Sequence, residues 1–97
     1  MATIENWTFR TTNPYVAPEM ARIEVTGETQ NHPNFPDGSK VTTEAVALTP
    51  AGFTSYSGRE WRLGGPDTQT TRKEFEARFL EIAEGRLKAG YPLGSPR

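Results

Sequence analysis

The spacing of apolar residues changes once along this chain, and that change limits what it can fold into. As far as Leu63 the apolar positions alternate or fall in short runs, which is the pattern of strands; after Thr71 they recur at helical spacing. In Glu5-Asn6-Trp7-Thr8-Phe9-Arg10-Thr11, Trp7 and Phe9 share one face and Asn6, Thr8 and Arg10 the other. Ala21-Arg22-Ile23-Glu24-Val25-Thr26 alternates most cleanly, with Ala21, Ile23 and Val25 facing inward. Lys40–Thr49 begins β-branched and then runs Ala45-Val46-Ala47-Leu48, apolar on both faces, as a central strand covered on both sides would be. Phe53–Tyr56 and Arg59–Leu63 flank Ser57-Gly58, a two-residue hairpin turn.

Turn chemistry separates these segments. Asn13-Pro14-Tyr15-Val16-Ala17-Pro18 predicts an extended or turning connection, because proline fixes φ and restricts the residue before it. Gly27–Ser39 predicts a polar loop that ends in a tight turn at Phe35-Pro36-Asp37-Gly38. Gly64-Gly65-Pro66-Asp67 ends the sheet. Thr71 and Glu74 then form a capping-box pattern. From there Phe75, Phe79, Ile82, Ala83 and Leu87 make one apolar stripe, Arg86 and Lys88 favour the last turn, and Gly90 and Pro92 stop the helix. The fold class is α+β, a small antiparallel sheet of about five strands with one C-terminal helix packed on it.

A chain of 97 residues builds one domain. Leu, Ile, Val and Phe together number only 17, so a folded core has to lean on the ten aromatic residues. Trp7, Phe9, Phe53, Trp61, Phe75 and Phe79 are its expected members, whereas Tyr15, Phe35, Tyr56 and Tyr91 sit beside loops or termini and cannot all be internal. With so thin a core the chain is expected to gain stability as a symmetric homo-oligomer. No apolar run approaches the length of a membrane span, the N-terminal residues lack signal-peptide character, and there is no cysteine to build a disulfide or a thiolate zinc site. The expected location is the cytoplasm.

The formal charge is −1, with −3 over residues 1–67 and +2 beyond them. Arg72, Lys73, Arg78, Arg86 and Lys88 alternate with Glu74, Glu76, Glu81 and Glu84. These charges read as a solvated helix face with Glu74–Arg78 and Glu84–Lys88 pairs, not as a basic stripe for duplex nucleic acid.

Within Gly27–Pro66 the residues His32-Pro33-Asn34-Phe35-Pro36-Asp37-Gly38-Ser39, Val41-Thr42-Thr43 and Gly58-Arg59-Glu60-Trp61-Arg62-Leu63-Gly64 form a loop-and-strand signature. The signature resembles a pattern in small bacterial and prophage proteins, a His-Pro-x-Phe-x-Asp-Gly loop before a Val-x-Thr strand and a later aromatic-x-Leu-Gly strand. This resemblance implies a mobile-element or small bacterial context and no particular chemistry.

The candidate site residues are few. His32 is the only histidine, and its serine and carboxylate neighbours lack nucleophile-elbow or metal-ligand spacing, so neither a metal nor a cofactor is expected. An imidazole nitrogen bonded to nearby backbone is the simplest role for it. Asp37 before Gly38 suits a turn in which the carboxylate accepts a backbone N–H two residues on. Gly64-Gly65-Pro66 suggests a phosphate cradle before a helix, but it lacks the lysine and spacing of a P-loop and stands apart from the capping Thr71; a helix N-terminus can still hold an anion without a motif. Arg59 and Arg62 flank Trp61, and exposed aromatics beside arginine suit either a protein hot spot or a base-stacking surface.

The expected function is therefore a non-enzymatic binding module, phage- or mobile-element-encoded, acting against host defence. It would bind a defence protein directly or sequester a nucleotide-type ligand, through a surface of His32, Phe35, Asp37, Tyr56, Arg59 and Arg62. A small nucleotide-processing enzyme using His32 and Asp37, and a self-assembling structural subunit, are the alternatives.

Overall fold

A computed structural model describes every residue except Asn13, Pro14, Pro96 and Arg97. Five strands, β1 (Ala2–Thr11), β2 (Ile23–Gln30), β3 (Lys40–Leu48), β4 (Gly52–Ser55) and β5 (Glu60–Leu63), precede one helix, α1 (Arg72–Lys88). The α+β expectation holds, with one addition. The sheet closes into a barrel in the order β1-β2-β3-β4-β5. Successive strands pair antiparallel, so an odd number of them leaves the first and last pointing the same way. The closing β1–β5 pair is accordingly parallel, with Ala2 opposite Trp61 and Ile4 opposite Leu63. Beyond β5 the chain stays beside β1, where Pro66 bridges Trp7.

The core lies inside this barrel and under α1. Ile4, Trp7, Ile23, Val25, Ala45, Phe53 and Phe75 are fully buried. Of the six expected core aromatics only Phe9 is half-buried, and it too packs against Phe75, with ring centroids 5.6 Å apart. Tyr15, Phe35, Tyr56 and Tyr91, which could not all be internal, are all exposed. No helix among the described residues is long and apolar enough to cross a membrane.

Several local expectations are corrected. β1 starts at Ala2 and does not alternate strictly. A bulge between Glu5 and Thr8, with Asn6 at φ 49°, lets both Ile4 and Trp7 face inward. β2 runs through Gly27 to Gln30, so the loop is shorter than predicted and spans Asn31–Ser39. Gly27 belongs in the strand because it lies against that bulge, where a Cβ would come within 2.8 Å of the Glu5 carbonyl oxygen and of Ile4. In β3 only Ala45 is fully buried while Ala47 is exposed, so this strand is not covered on both faces. A register shift between Ala45 and Ala47 breaks its pairing with β4. Of the Asn13–Pro18 connection, Asn13 and Pro14 lie outside the described residues, and its end enters a short 3-10 turn, Pro18–Met20, beside α1.

The inward face of α1 also differs by one position. Leu87 is exposed and Arg86 is buried. At about 100° per residue Arg86 returns to within roughly 20° of the Phe75 direction, whereas Leu87 lies about 120° away. The guanidinium is satisfied by backbone. Its Nε–H donates to the Tyr91 carbonyl (2.8 Å) and its Nη1–H to that of Ala21 (3.0 Å), which ties the helix end to the start of β2. Thr71 caps the helix as expected, its Oγ1 accepting the Glu74 N–H at 3.1 Å. Glu84 pairs with Lys88 (3.0 Å), but Arg78 takes Glu81 and the Thr11 hydroxyl in place of Glu74.

Candidate functional site

A file of ring contacts runs from the helix through the barrel to the loop. Phe79 meets Phe75 (6.3 Å), Phe75 meets Phe53 (6.2 Å, 62°), and Phe53 stacks on Trp61 (6.4 Å, 11°). Trp61 then meets His32 (5.5 Å) and His32 meets Phe35 (4.8 Å). The file passes from buried to exposed, since Phe53 is 0% and Phe35 48% exposed. His32 and Phe35 thus cover the barrel end opposite α1, where β2 leaves and β3 and β5 begin.

The loop that carries them is held by its own backbone. The Gly38 N–H donates to the Thr29 carbonyl (2.8 Å) and the Thr29 N–H to the Ser39 carbonyl (2.8 Å). Gly38 takes φ 90°, which a side chain would resist. Asp37 does cap a backbone N–H, but that of Asn31 (2.9 Å), six residues back, because the loop folds onto its own entry. His32 Nδ1 accepts the Asn34 N–H at 3.0 Å, as the simplest sequence reading expected. The neutral ring therefore carries its proton on Nε2. Desolvation by its ring neighbours, and then the positive charge of Arg59, hold the His32 pKa below the ordinary 6.5.

The structure divides the predicted site residues. It joins His32 and Phe35, with Arg59 near enough to act on the imidazole. It places Arg62 elsewhere: Trp61 and Leu63 point inward, so Arg62 between them lies on the outer wall, opposite Thr3 and Gly52. Tyr56 turns to the C-terminal tail, its hydroxyl donating to the Ser95 carbonyl at 3.5 Å. Asp37 is engaged with Asn31, and no catalytic His32–Asp37 pair is formed.

Trp61 is the residue that alternation assigned to the core alone. It is 4% exposed and forms the floor beneath His32, and its indole Nε1–H has no hydrogen-bond acceptor among the described residues. A buried donor without an acceptor costs roughly 1–3 kcal/mol and calls for a reason. Beside it an open groove of about 550 Å³ is lined by Met1, Ala2 and Ser57–Glu60. Among the described residues neither Arg59 nor Arg62 forms an ion pair. Sequence could have pointed to Trp61 through its neighbours Arg59 and Arg62, but not to its contact with a loop some 29 positions earlier.

The Gly64-Gly65 candidate is already occupied from within. The Glu5 carboxylate accepts the Gly65 N–H at 2.8 Å, and a Cβ at Gly64 would run into the same carboxylate. This backbone cradle has its own anion, which also stitches β1 to the end of β5. No group of three or more metal-ligating side chains gathers among the described residues.

Comparison of the chain with protein-family models, curated proteins and solved structures found no match.

Proposed function

We propose that this chain is a non-enzymatic binding module of a phage or other mobile element, and that it acts against host defence with the loop-bearing end of its barrel. The observation that carries this reading is the His32 ring set between Phe35 and Trp61 beside unpaired Arg59. An exposed aromatic, a rigid loop and a free guanidinium are the groups that dominate recognition, and prior ordering of the loop lowers the entropy lost on binding. Binding is favoured over hydrolysis because His32 and Asp37 each spend a polar atom on loop backbone and do not face each other as base and orienter. The mobile-element setting rests on the resemblance of the Gly27–Pro66 signature. Occlusion of a defence protein and sequestration of a nucleotide signal both fit this surface. A protein of this kind would work in the cytoplasm.

Self-association belongs to the same reading, supported by Leu80 and Leu87 on the outer face of α1. Assembly by strand pairing has less support, since barrel closure removes the two terminal edges of the sheet.

The test is phage plating on a panel of hosts that carry different defence systems, with the chain supplied from a plasmid. The wild type should restore plaques on at least one host, and Phe35→Ala with Arg59→Gln should abolish the effect while Arg62→Ala keeps it. Equal plating with wild type and double variant, or no restoration on any host, would overturn the reading.

A further inference from the structure

We propose that the barrel mouth beneath the His32 loop binds a small ligand that joins one oxyanion group to a flat ring, a nucleoside monophosphate in size and chemistry. The proposal rests on the binding-module reading and narrows its target.

Three N–H donors carry the oxyanion part. Arg59 has no carboxylate partner among the described residues. His32 has given its Nδ1 lone pair to Asn34, so the nitrogen left over, Nε2, bears the proton. The Trp61 indole N–H is buried and unpartnered. The His32 ring lies 5.5 Å from the Trp61 ring and within electrostatic reach of Arg59. These are donor groups that ask for an acceptor-rich partner, and charge-assisted bonds to an oxyanion are the strongest such groups make. Asp37, in the same loop as His32, places its Oδ1 on the Asn31 N–H, and Glu60 beside Arg59 forms no ion pair with it among the described residues.

The ring part rests on Phe35. It meets His32 at a tilt of 51° and is 48% exposed, so part of its ring surface is left to solvent. Such a surface takes a base without regard to sequence. Arg59 also lines an open groove of about 550 Å³ with Met1, Ala2, Ser57, Gly58 and Glu60, which gives the rest of a ligand held at Arg59 a place to lie. Ser57 and Glu60 in its lining offer acceptors for sugar hydroxyls. The arrangement also has an electrostatic consequence: an anion seated beside Arg59 would offset the charge that lowers the His32 pKa, so binding should raise it.

The full chain is titrated in low-salt buffer with adenosine monophosphate, adenosine and inorganic phosphate separately, followed by calorimetry and by the two indole N–H resonances. The monophosphate should move the Trp61 indole signal and leave that of Trp7, which is already bonded to the Gly64 carbonyl at 2.9 Å. Adenosine alone and phosphate alone should each bind at least about ten-fold more weakly. Arg59→Gln should weaken the monophosphate about ten-fold and Phe35→Ala several-fold, both with an unchanged melting temperature, and His32 should titrate at higher pH in the complex. An unmoved Trp61 signal at millimolar monophosphate would overturn the proposal, as would adenosine binding equally well, phosphate binding equally well, or Arg59→Gln keeping full affinity. If the plating effect depends on Phe35 and Arg59 while no probe binds, the small ligand falls and the binding module stands. If the monophosphate binds as described while no host shows a plating effect, the ligand site stands and the anti-defence reading falls.

Discussion

The two ends of the barrel are built from the same residue types and finished differently. At the helix end Phe75 is fully buried and meets Trp7, Phe9 and Phe53 edge-on at 5.6–6.2 Å. The Trp7 indole N–H there has its acceptor in Gly64, and even the buried guanidinium of Arg86 ends on carbonyl oxygens. At the loop end Trp61 is almost as buried, yet its N–H has no acceptor among the described residues, and its cover is a histidine and a half-exposed phenylalanine. The buried hydroxyls of Thr29 and Ser55 also serve this end, on Pro36 and Arg59 carbonyls. One end therefore spends its aromatics on closure. The other leaves a donor and a ring face over, and these are the groups on which the proposed recognition role rests.

The largest expected effect tests the closed end. Phe75→Ala removes a ring with no exposure and should cost roughly 3–5 kcal/mol, most of what a domain of this size possesses. Phe79→Ala, at 5% exposure on the same face, should approach it. Thermal unfolding followed by circular dichroism measures both, and an unchanged melting temperature for either would show that α1 does not close the barrel.

Exchanging the two indoles sharpens the contrast. Trp7→Phe leaves the Gly64 carbonyl without its donor and should cost about 1–2 kcal/mol beyond the loss of ring volume. Trp61→Phe removes a donor that had no partner, so that cost is absent and the denaturation midpoint should change by less. Equal losses in urea unfolding would mean that the two ends are equivalent and that the orphaned N–H has no special meaning.

The smallest expected effect lies in the pH dependence. His32 has its folded pKa below 6.5, so the unfolded chain binds more protons in this range, and stability falls as pH drops from 6.5 toward the lowered native value. Asp67 behaves likewise further into acid. The Thr70 hydroxyl and then the Gln69 N–H hold its carboxylate below the ordinary 3.8, so its contribution is intact above 3.8 and is lost as pH falls through the lowered native value. Chemical unfolding across pH should show two shallow steps. His32→Ala should erase only the upper one, at the loop end, and Asp67→Asn only the lower. A profile that keeps its upper step without His32 would place that titration elsewhere.

The elements themselves were legible because period and turn chemistry are local. Ile23 and Val25 face inward as their alternation requires, and Thr71 caps α1. Gly58 turns the β4–β5 hairpin at φ 92°, but the loop holds three residues, 56–58, and not the two expected, because the Ser55 N–H already bonds to the Arg59 carbonyl. Errors arose where two distant segments meet. Gly27 read as the start of a loop because glycine is a turn residue, and nothing nearby in sequence reveals that it must clear the β1 bulge. Leu87 read as core because leucine is apolar, although a full helical period puts Arg86 on that face. Arg62, by contrast, lies on the face opposite the Trp61 indole, as alternation along the strand requires.

What this sequence determined by itself was the set of pieces: five strand segments, one amphipathic helix, and a short list of aromatic and loop residues able to form a core and a site. Tertiary structure alone decided that the sheet closes, that a parallel pair closes it, and that Glu5 fills the Gly64-Gly65 cradle. It alone also set His32 over Trp61. The physical reason is range. Backbone propensity and side-chain period act over a few residues, whereas the acceptor for an indole, the anion for a backbone cradle and the cover for a barrel mouth come from segments tens of residues away, brought there by closure of the whole.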